Sequence, residues 1–197
     1  RENRLELDAE VVNEVGEINQ ILEELAQLNA EIPRANFEDG SAANLKDQRN
    51  LLLERLSSRI DITTVERDSG QISVLLSGHN LVSADKSINL RVRQLSSNDT
   101  ITSQIFFEDD GSLAVAREGR LRGLMEVRDQ IIPDMIGRLD ALVQGMVEEV
   151  NALHRKGFGF DGSNGNNFFD AQKLNASNIA VDNDILADLD NIVASAD

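Results

Sequence analysis

The sequence predicts an α+β protein: an elongated antiparallel three-helix bundle, an inserted small antiparallel β-region, and the start of a further domain. Apolar residues recur every three or four positions over residues 1–32 and 120–156, which is the spacing of one helix face. Between residues 60 and 115 the period changes to two, and turn-forming residues separate the short runs. Alternation of this kind is typical of antiparallel strands with one buried face.

The first segment, 1–58, is predicted to form a helical hairpin. Pro33 removes a backbone donor and is expected to end the first helix. The second helix is expected to begin at Ser41 or Asn44, both suitable N-cap residues. Gly16 is interpreted as a place where two helices approach closely. The predicted core positions of the hairpin are Val15, Ile18, Leu22, Leu25, Leu52 and Leu56.

Residues 59–118 are predicted to form the small antiparallel β-region. Turn signals such as Ser77-Gly78 and Asp109-Asp110-Gly111 separate its strands. The alternating pairs and runs that indicate strands are Ile60 with Ile62, Ile72 with Val74, Ile88 with Leu90 and Val92, and Leu113 with Val115.

The segment 119–156 is predicted to be the long return helix of the bundle. Pro133 lies within it and cannot bond to the carbonyl of Asp129, so a kink is expected near these residues. The predicted core positions are Ile132, Leu139, Leu142, Met146 and Val150. The remaining segment, 157–197, reads as a glycine-rich loop and the start of an outer domain.

The composition argues against several classes of function. The 197-residue chain has 19 basic and 35 acidic residues, a net charge of −16, which makes nucleic-acid and anionic-membrane partners poor candidates. It contains no Cys, which excludes disulfides, thiolate metal sites and cysteine nucleophiles. It contains no Trp or Tyr, so a partner surface would have to use aliphatic residues, Arg and Phe.

No pattern in the sequence predicts catalysis, a cofactor or a metal site. The spelling Gly157-x-Gly-x-x-Gly162 follows a helix, whereas a dinucleotide site needs it after a strand. Residues 161–172 lack the glycine and the bidentate Glu of a calcium loop. The two histidines, His79 and His154, lie far apart in sequence, and His154 is interpreted as a cation or capping group near a helix end.

An ordered set of short spellings resembles the flagellar hook-associated protein 1 family. They include Asn44 to Asn50, Gly78 to Val82, Arg128-Asp129 with Ile132-Pro133, and Val150-Asn151-x-Leu153-His154-x-x-Gly157. The candidate family-motif residues are Asp47, Gln48, Arg49, Gly78, Arg128, Asp129, Pro133, Asn151, His154, Gly157, Phe168 and Phe169.

The resemblance implies a non-enzymatic structural subunit that joins hook to filament in the bacterial flagellum. The expected partners are the hook protein, the second junction protein and copies of the same chain in a ring. The resemblance also implies an extracellular location, reached through flagellar type III secretion without a cleaved signal peptide. The sequence reads as a central piece without the helical tails or the segment that binds the export chaperone. The first alternative to this role is a secreted binding module or adhesin, and the second is an enzyme.

Overall fold

The protein consists of helices and short antiparallel sheets, which confirms the α+β class. The computed structural model describes residues 2–38, 42–67, 69–97, 100–160 and 162–193. The chain forms two compact units, Arg1–Gln130 and Ile131–Asp197, which are described separately below. The boundary between the two units falls inside the predicted return helix, 119–156. The division into four segments that the sequence suggested stays a prediction.

Helix α1, Glu2–Glu38, provides the largest part of the first unit's core. Its apolar stripe steps by four, three, four and three residues, and it lies on one face of the helix. The fully or nearly fully buried residues of this stripe are Val11, Val15, Ile18, Leu22 and Leu25. Ile21, Leu28 and Ile32 widen the same buried face.

Pro33 does not end α1, contrary to the expectation from the sequence, because the helix continues to Glu38. A proline in a helix leaves the carbonyl four residues earlier without its usual N–H partner. Here that carbonyl belongs to Asn29, and the side-chain Nε2 of Gln71 donates to it at 3.1 Å. The contact replaces the missing hydrogen bond and allows the helix to pass through Pro33.

Helix α2, Ala42–Arg59, packs against α1 and buries Leu52 and Leu56. Arg59, at the end of α2, forms ion pairs with Glu14 and Glu17 in the first half of α1. Since α2 follows α1 directly in the chain, these ion pairs show that the two helices are antiparallel. Asn44 lies inside α2, and Ser41 lies outside the described residues.

The sequence had indicated that two helices approach closely at Gly16, and this interpretation is wrong. Gly16 is exposed, and a Cβ added there would meet no atom within 4 Å. The close approach is at Gly119, the first residue of helix α3, Gly119–Glu126. An added Cβ at Gly119 would lie 2.5 Å from the backbone oxygen of Arg59, and the residue has a φ of +84°. Gly119 therefore needs to be glycine on both counts.

The first sheet consists of strands β1, Ile62–Glu66, β2, Ile72–Leu76, β3, His79–Ser83, and β4, Lys86–Ser87. Each strand is antiparallel to the next, in the order β1-β2-β3-β4. Ser77 and Gly78 form the two-residue turn between β2 and β3, with φ angles of 50° and 88°. Positive φ at both turn residues suits a tight hairpin, and glycine adopts it most readily.

The second sheet is a hairpin of β5, Leu90–Ser97, and β6, Thr100–Phe107. The predicted strand at Leu113 and Val115 is wrong: Leu113 makes only an isolated bridge to Phe106, and Val115 lies in no described strand. Ile88 likewise lies outside a strand, between β4 and β5. The sequence did not reveal β6.

In the second unit, helix α4 spans Ile132–His154 and follows a π-helical turn, Val127–Ile131. The irregularity expected near Pro133 therefore takes the form of a π-helical turn, and the kink itself stays a prediction. The prediction that Leu139, Leu142 and Met146 lie in a core is wrong for this chain. Their exposed fractions are 51%, 69% and 43%. Ile132 and Val150 are half-buried.

The face of α4 that is buried carries Val147, Asn151 and His154, at its C-terminal end. The segment after α4 packs against this end and contains isolated bridges, helix α5, Asn183–Ala187, and a 3₁₀ helix, Leu189–Asn191. It has no regular partner helix in the described residues 162–193. That is why the apolar stripe in the first half of α4 remains exposed within this unit. Within the described part of the chain, no helix combines the length and apolarity that a membrane crossing requires.

Shortening an apolar side chain should change the free energy of unfolding strongly in the buried stripe of α1 and only slightly in the exposed stripe of α4. Leu22→Ala removes a fully buried side chain and should lower the free energy of unfolding by about 2–5 kcal/mol. Leu142→Ala, the matched control on an exposed site, should change it by no more than about 0.5 kcal/mol. Urea denaturation of both variants measures the difference. A loss for Leu142→Ala as large as that for Leu22→Ala would contradict the exposure of α4.

Candidate functional site

Three polar residues on α1 bind the backbone of the β-region. Asn19 donates from Nδ2 to the Leu90 carbonyl at 2.9 Å and accepts from the Leu90 N–H at 2.8 Å. Asn29 makes the same pair of bonds to Ile72, at 2.7 and 3.1 Å. Asp8 accepts from the backbone N–H and the hydroxyl of Ser103, at 2.9 and 2.8 Å.

Asp8, Asn19 and Asn29 share one side of the helix because their spacings, 11 and 10 residues, are each close to three turns. Asp8 and Asn29 are buried and Asn19 is half-buried. Each amide or carboxylate meets backbone groups that would otherwise be buried without partners. This set, here called the α1 polar face, positions β2, β5 and β6 against the helix.

The α1 polar face was not found from the sequence. Its signal is the recurrence of hydrogen-bonding residues every third turn beside an apolar stripe.

Arg128 joins the α1 polar face at its N-terminal end. This side chain is 2% exposed and donates to Asp8 at 2.6 Å, to the Ser103 carbonyl at 2.9 Å and to Asp129 at 2.8 Å from each of two nitrogens. The neighbouring Asp129 carboxylate, and after it Asp8, raise the pKa of Arg128 above its usual range against the opposing effect of burial. The cluster is therefore a paired and hydrogen-bonded buried charge.

The π-helical turn Val127–Ile131 presents this arginine. π-helical turns are rare and often occur where a side chain must be aimed at a particular place. The family-motif residue Arg128 thus joins the turn to β6 and to the start of α1, and the second motif residue, Asp129, bonds to Arg128. Pro133, the third motif residue of this region, is half-buried in the first turn of α4.

Arg49 is the buried member of the Asp47-Gln48-Arg49 spelling. It donates from Nη1 to the Gly70 carbonyl at 2.7 Å and lies 3.5 Å from the Glu66 carboxylate. These contacts hold the turn between β1 and β2 to helix α2. Asp47 and Gln48 are exposed, and Gly78 supplies the turn between β2 and β3.

The remaining motif residues come together in the second unit. The buried Asn151 accepts from the backbone N–H groups of Phe168 and Phe169, at 2.9 and 2.8 Å, and donates to the Phe169 carbonyl at 2.8 Å. The ring of His154 lies 5.6 Å from that of Phe168, centroid to centroid. Gly157 is buried just after α4, and its N–H bonds to the His154 carbonyl. The two phenylalanine rings meet edge to face at 4.9 Å.

His154 uses both ring nitrogens. Nδ1 lies 2.9 Å from the Asn166 carbonyl, and Nε2 lies 3.1 Å from the backbone nitrogen of Val193. The histidine therefore binds the segments of Asn166 and Val193 to the end of α4. The sequence had indicated a different role, that of a cation or a capping group.

His79 is the other histidine, and its surroundings are acidic. Nε2 lies 3.0 Å from an Asp109 oxygen, Nδ1 lies 3.9 Å from an Asp110 oxygen, and the ring stacks on Phe107 at 3.9 Å. A hydrogen bond from the Ser112 backbone lowers the pKa of Asp110 below its usual value. Among the described residues, this cluster has ligand atoms close enough for a divalent cation, all within 4.8 Å. A proton on the histidine satisfies the same geometry, so the cluster by itself assigns no metal.

The other motifs considered from the sequence do not converge on a site. Gly157 to Gly162 follows α4 directly, so it does not have the strand that a dinucleotide site requires. The candidate calcium loop begins at Asp161, outside the described residues. Within that loop, Asp170 accepts from the Gln172 backbone, which lowers the pKa of Asp170, and pairs with Lys173.

The fold and its motif residues define a structural module, because the contacts described for these residues hold one element against another. The chain matches the family model for the flagellar hook-associated protein FlgK helical domain over residues 1–169. It belongs to this family.

Similar proteins agree with this assignment. Flagellar hook-associated protein 1 of Salmonella typhimurium is 25% identical and that of Bacillus subtilis 29% identical, over 86% and 83% of this chain. These matches span 32% and 38% of the relatives, so the chain corresponds to about a third of their length. The flagellar hook junction protein FlgK of Burkholderia pseudomallei has a similar structure, with a TM-score of 0.66 and 26% identity, covering 85% of this chain and 31% of that one.

Removing one amide from the α1 polar face should destabilise the first unit. Asn29→Ala leaves the buried N–H and carbonyl of Ile72 without their helix partner, and should cost about 1–3 kcal/mol. Gln20→Ala is the matched control, since this exposed side chain bonds only to Glu24 among its described contacts. Thermal unfolding followed by circular dichroism measures both. Equal melting temperatures for the two variants would show that the Asn29 contact contributes nothing.

Proposed function

We propose that this chain is part of a structural subunit that joins hook to filament in the bacterial flagellum, and that it performs no catalysis. The match of residues 1–169 to the helical-domain family carries this proposal. The relatives' names, hook-associated protein 1 and hook junction protein, supply the role. The internal contacts support it, because the buried polar groups of the domain join one element to another.

The proposed working surface is the exposed apolar face of α4. Met135, Leu139, Leu142 and Met146 follow one another at helical spacing and are all more than 40% exposed. Contiguous exposed apolar side chains on a soluble domain indicate a surface that a partner covers. The helical tails implied by the family resemblance are the proposed cover of this face.

The proposed partners are other axial proteins of the flagellum: the hook protein, the second junction protein and copies of the same subunit in a ring. The proposed location is outside the cell, after export through the flagellar type III apparatus, and an export chaperone is a further proposed partner. A net charge of −16 supports solubility and disfavours association of free subunits. An adhesin role has no comparable support in the contacts described.

A motility experiment with the full-length protein tests the proposal. Leu139→Glu combined with Leu142→Glu places two charges on the exposed face of α4, and should abolish swimming when the variant replaces the wild-type gene. The isolated 197-residue chain with the same changes should melt within a few degrees of wild type, because both side chains are exposed. Gln144→Glu combined with Glu148→Gln is the control, since it changes two exposed polar residues of the same helix.

The proposed working surface on α4 would be wrong if cells with both glutamates swam normally and retained filaments on their hooks. Wild-type behaviour is expected from the control pair.

A further inference from the structure

We propose that His154 is a pH-sensitive latch, which holds the segment Leu189–Val193 to the end of α4 only while its ring is neutral. The proposal rests on the identity of the two groups that face the ring nitrogens. One is a carbonyl, which can only accept a hydrogen bond, and the other is a backbone N–H, which can only donate one.

The two contacts specify one form of the ring. The Asn166 carbonyl, 2.9 Å from Nδ1, requires a proton on Nδ1. The Val193 N–H, 3.1 Å from Nε2, requires a free electron pair on Nε2. Only the neutral Nδ1–H tautomer provides both. A second proton on Nε2 would point at the Val193 N–H, so the contact to Val193 must break when the ring becomes charged.

None of the described charged side chains near the ring pairs with it. The loop between Gly162 and Phe169 contains no charged residue, and it presents the Asn166 carbonyl and the Phe168 ring. The opposite segment contains Asp190, preceded by Asp188, and His154 pairs with neither carboxylate among the described residues. On its own helix, Arg155 follows directly and donates to Asn167 instead. His154 is 8% exposed as a residue, so water compensates little for the lost bond.

The consequence of protonation is selective. The bond from Nδ1 to Asn166 survives in the charged ring, and Asn151 continues to hold Phe168 and Phe169. Only the contact to Val193 changes from attractive to repulsive, because two N–H groups then face each other. The loop at 166–169 therefore stays attached to α4 when the ring becomes charged, while the segment 189–193 loosens. The stability that this contact contributes is present at high pH and is lost on acidification.

His79 provides an internal comparison, because protonation should affect its contacts in the opposite direction. Its nitrogens face the Asp109 and Asp110 carboxylates, which accept hydrogen bonds from a charged ring. Acidification therefore strengthens the contacts of His79 and breaks one contact of His154. Since the chain contains two histidines, their signals can be assigned and followed separately.

Nitrogen-15 NMR of the 197-residue chain tests the latch. At pH 8 the His154 ring should show a protonated Nδ1 and an unprotonated Nε2, a tautomer that is the minor one in free histidine. Amide hydrogen exchange, corrected for its intrinsic pH dependence, should then become at least about tenfold faster at Val193 between pH 8 and pH 5. Exchange at Phe168 and Phe169 should change much less.

Two variants complete the test. His154→Gln has no titrating ring and should remove the pH dependence of exchange at Val193, whereas His79→Gln should leave it intact. An Nε2–H tautomer at pH 8, or exchange at Val193 that does not respond to pH in the wild-type chain, would overturn the proposal. The tautomer measurement uses the wild-type chain, so it decides the question even if His154→Gln fails to fold.

Discussion

Helix α1 can be buried against strands only because its polar side chains match the backbone groups that those strands present. Asn29 binds both backbone groups of Ile72, and Asn19 binds both of Leu90. An apolar residue at either position would leave a donor and an acceptor buried together, at a cost that an extra methyl group does not offset. The matching also selects the register, because a strand shifted by one residue would present its backbone groups in the other direction.

The buried charge at Arg128 follows from the same constraint. Asp8 accepts from Ser103, and the resulting buried carboxylate needs a cation, which the π-helical turn supplies. A buried ion pair does not by itself make a protein stable, because desolvation opposes it. Its visible role is geometric, because the pair joins α1, β6 and the turn to one another.

The stripe of α1 was predictable because helix periodicity is a local property, and the residues from Val11 to Leu25 carry it without interruption. The strand β6 was not, because the buried Ser103 interrupts its alternation in order to meet Asp8, 95 residues away. Leu139 and Leu142 show the reverse error. Their spacing predicts a buried face, but spacing cannot state whether the covering element belongs to the same chain segment.

The candidate site shows the same limit on what a sequence can reveal. The Asn151 and His154 spellings pointed to residues that do matter for the second unit, but nothing local revealed their partners, which are backbone groups of Asn166, Phe168 and Val193. Backbone groups carry no residue identity, so no pattern of side chains records them.

The bond from Gln71 to the Asn29 carbonyl makes the last two turns of α1 conditional on the sheet. While β1 and β2 are unformed, Pro33 leaves that carbonyl without a partner, and a chain in this state gains little from extending the helix beyond it. The side chain of Gln71 therefore links the end of α1 to the hairpin, and the stability of these last helical residues depends on the docked hairpin.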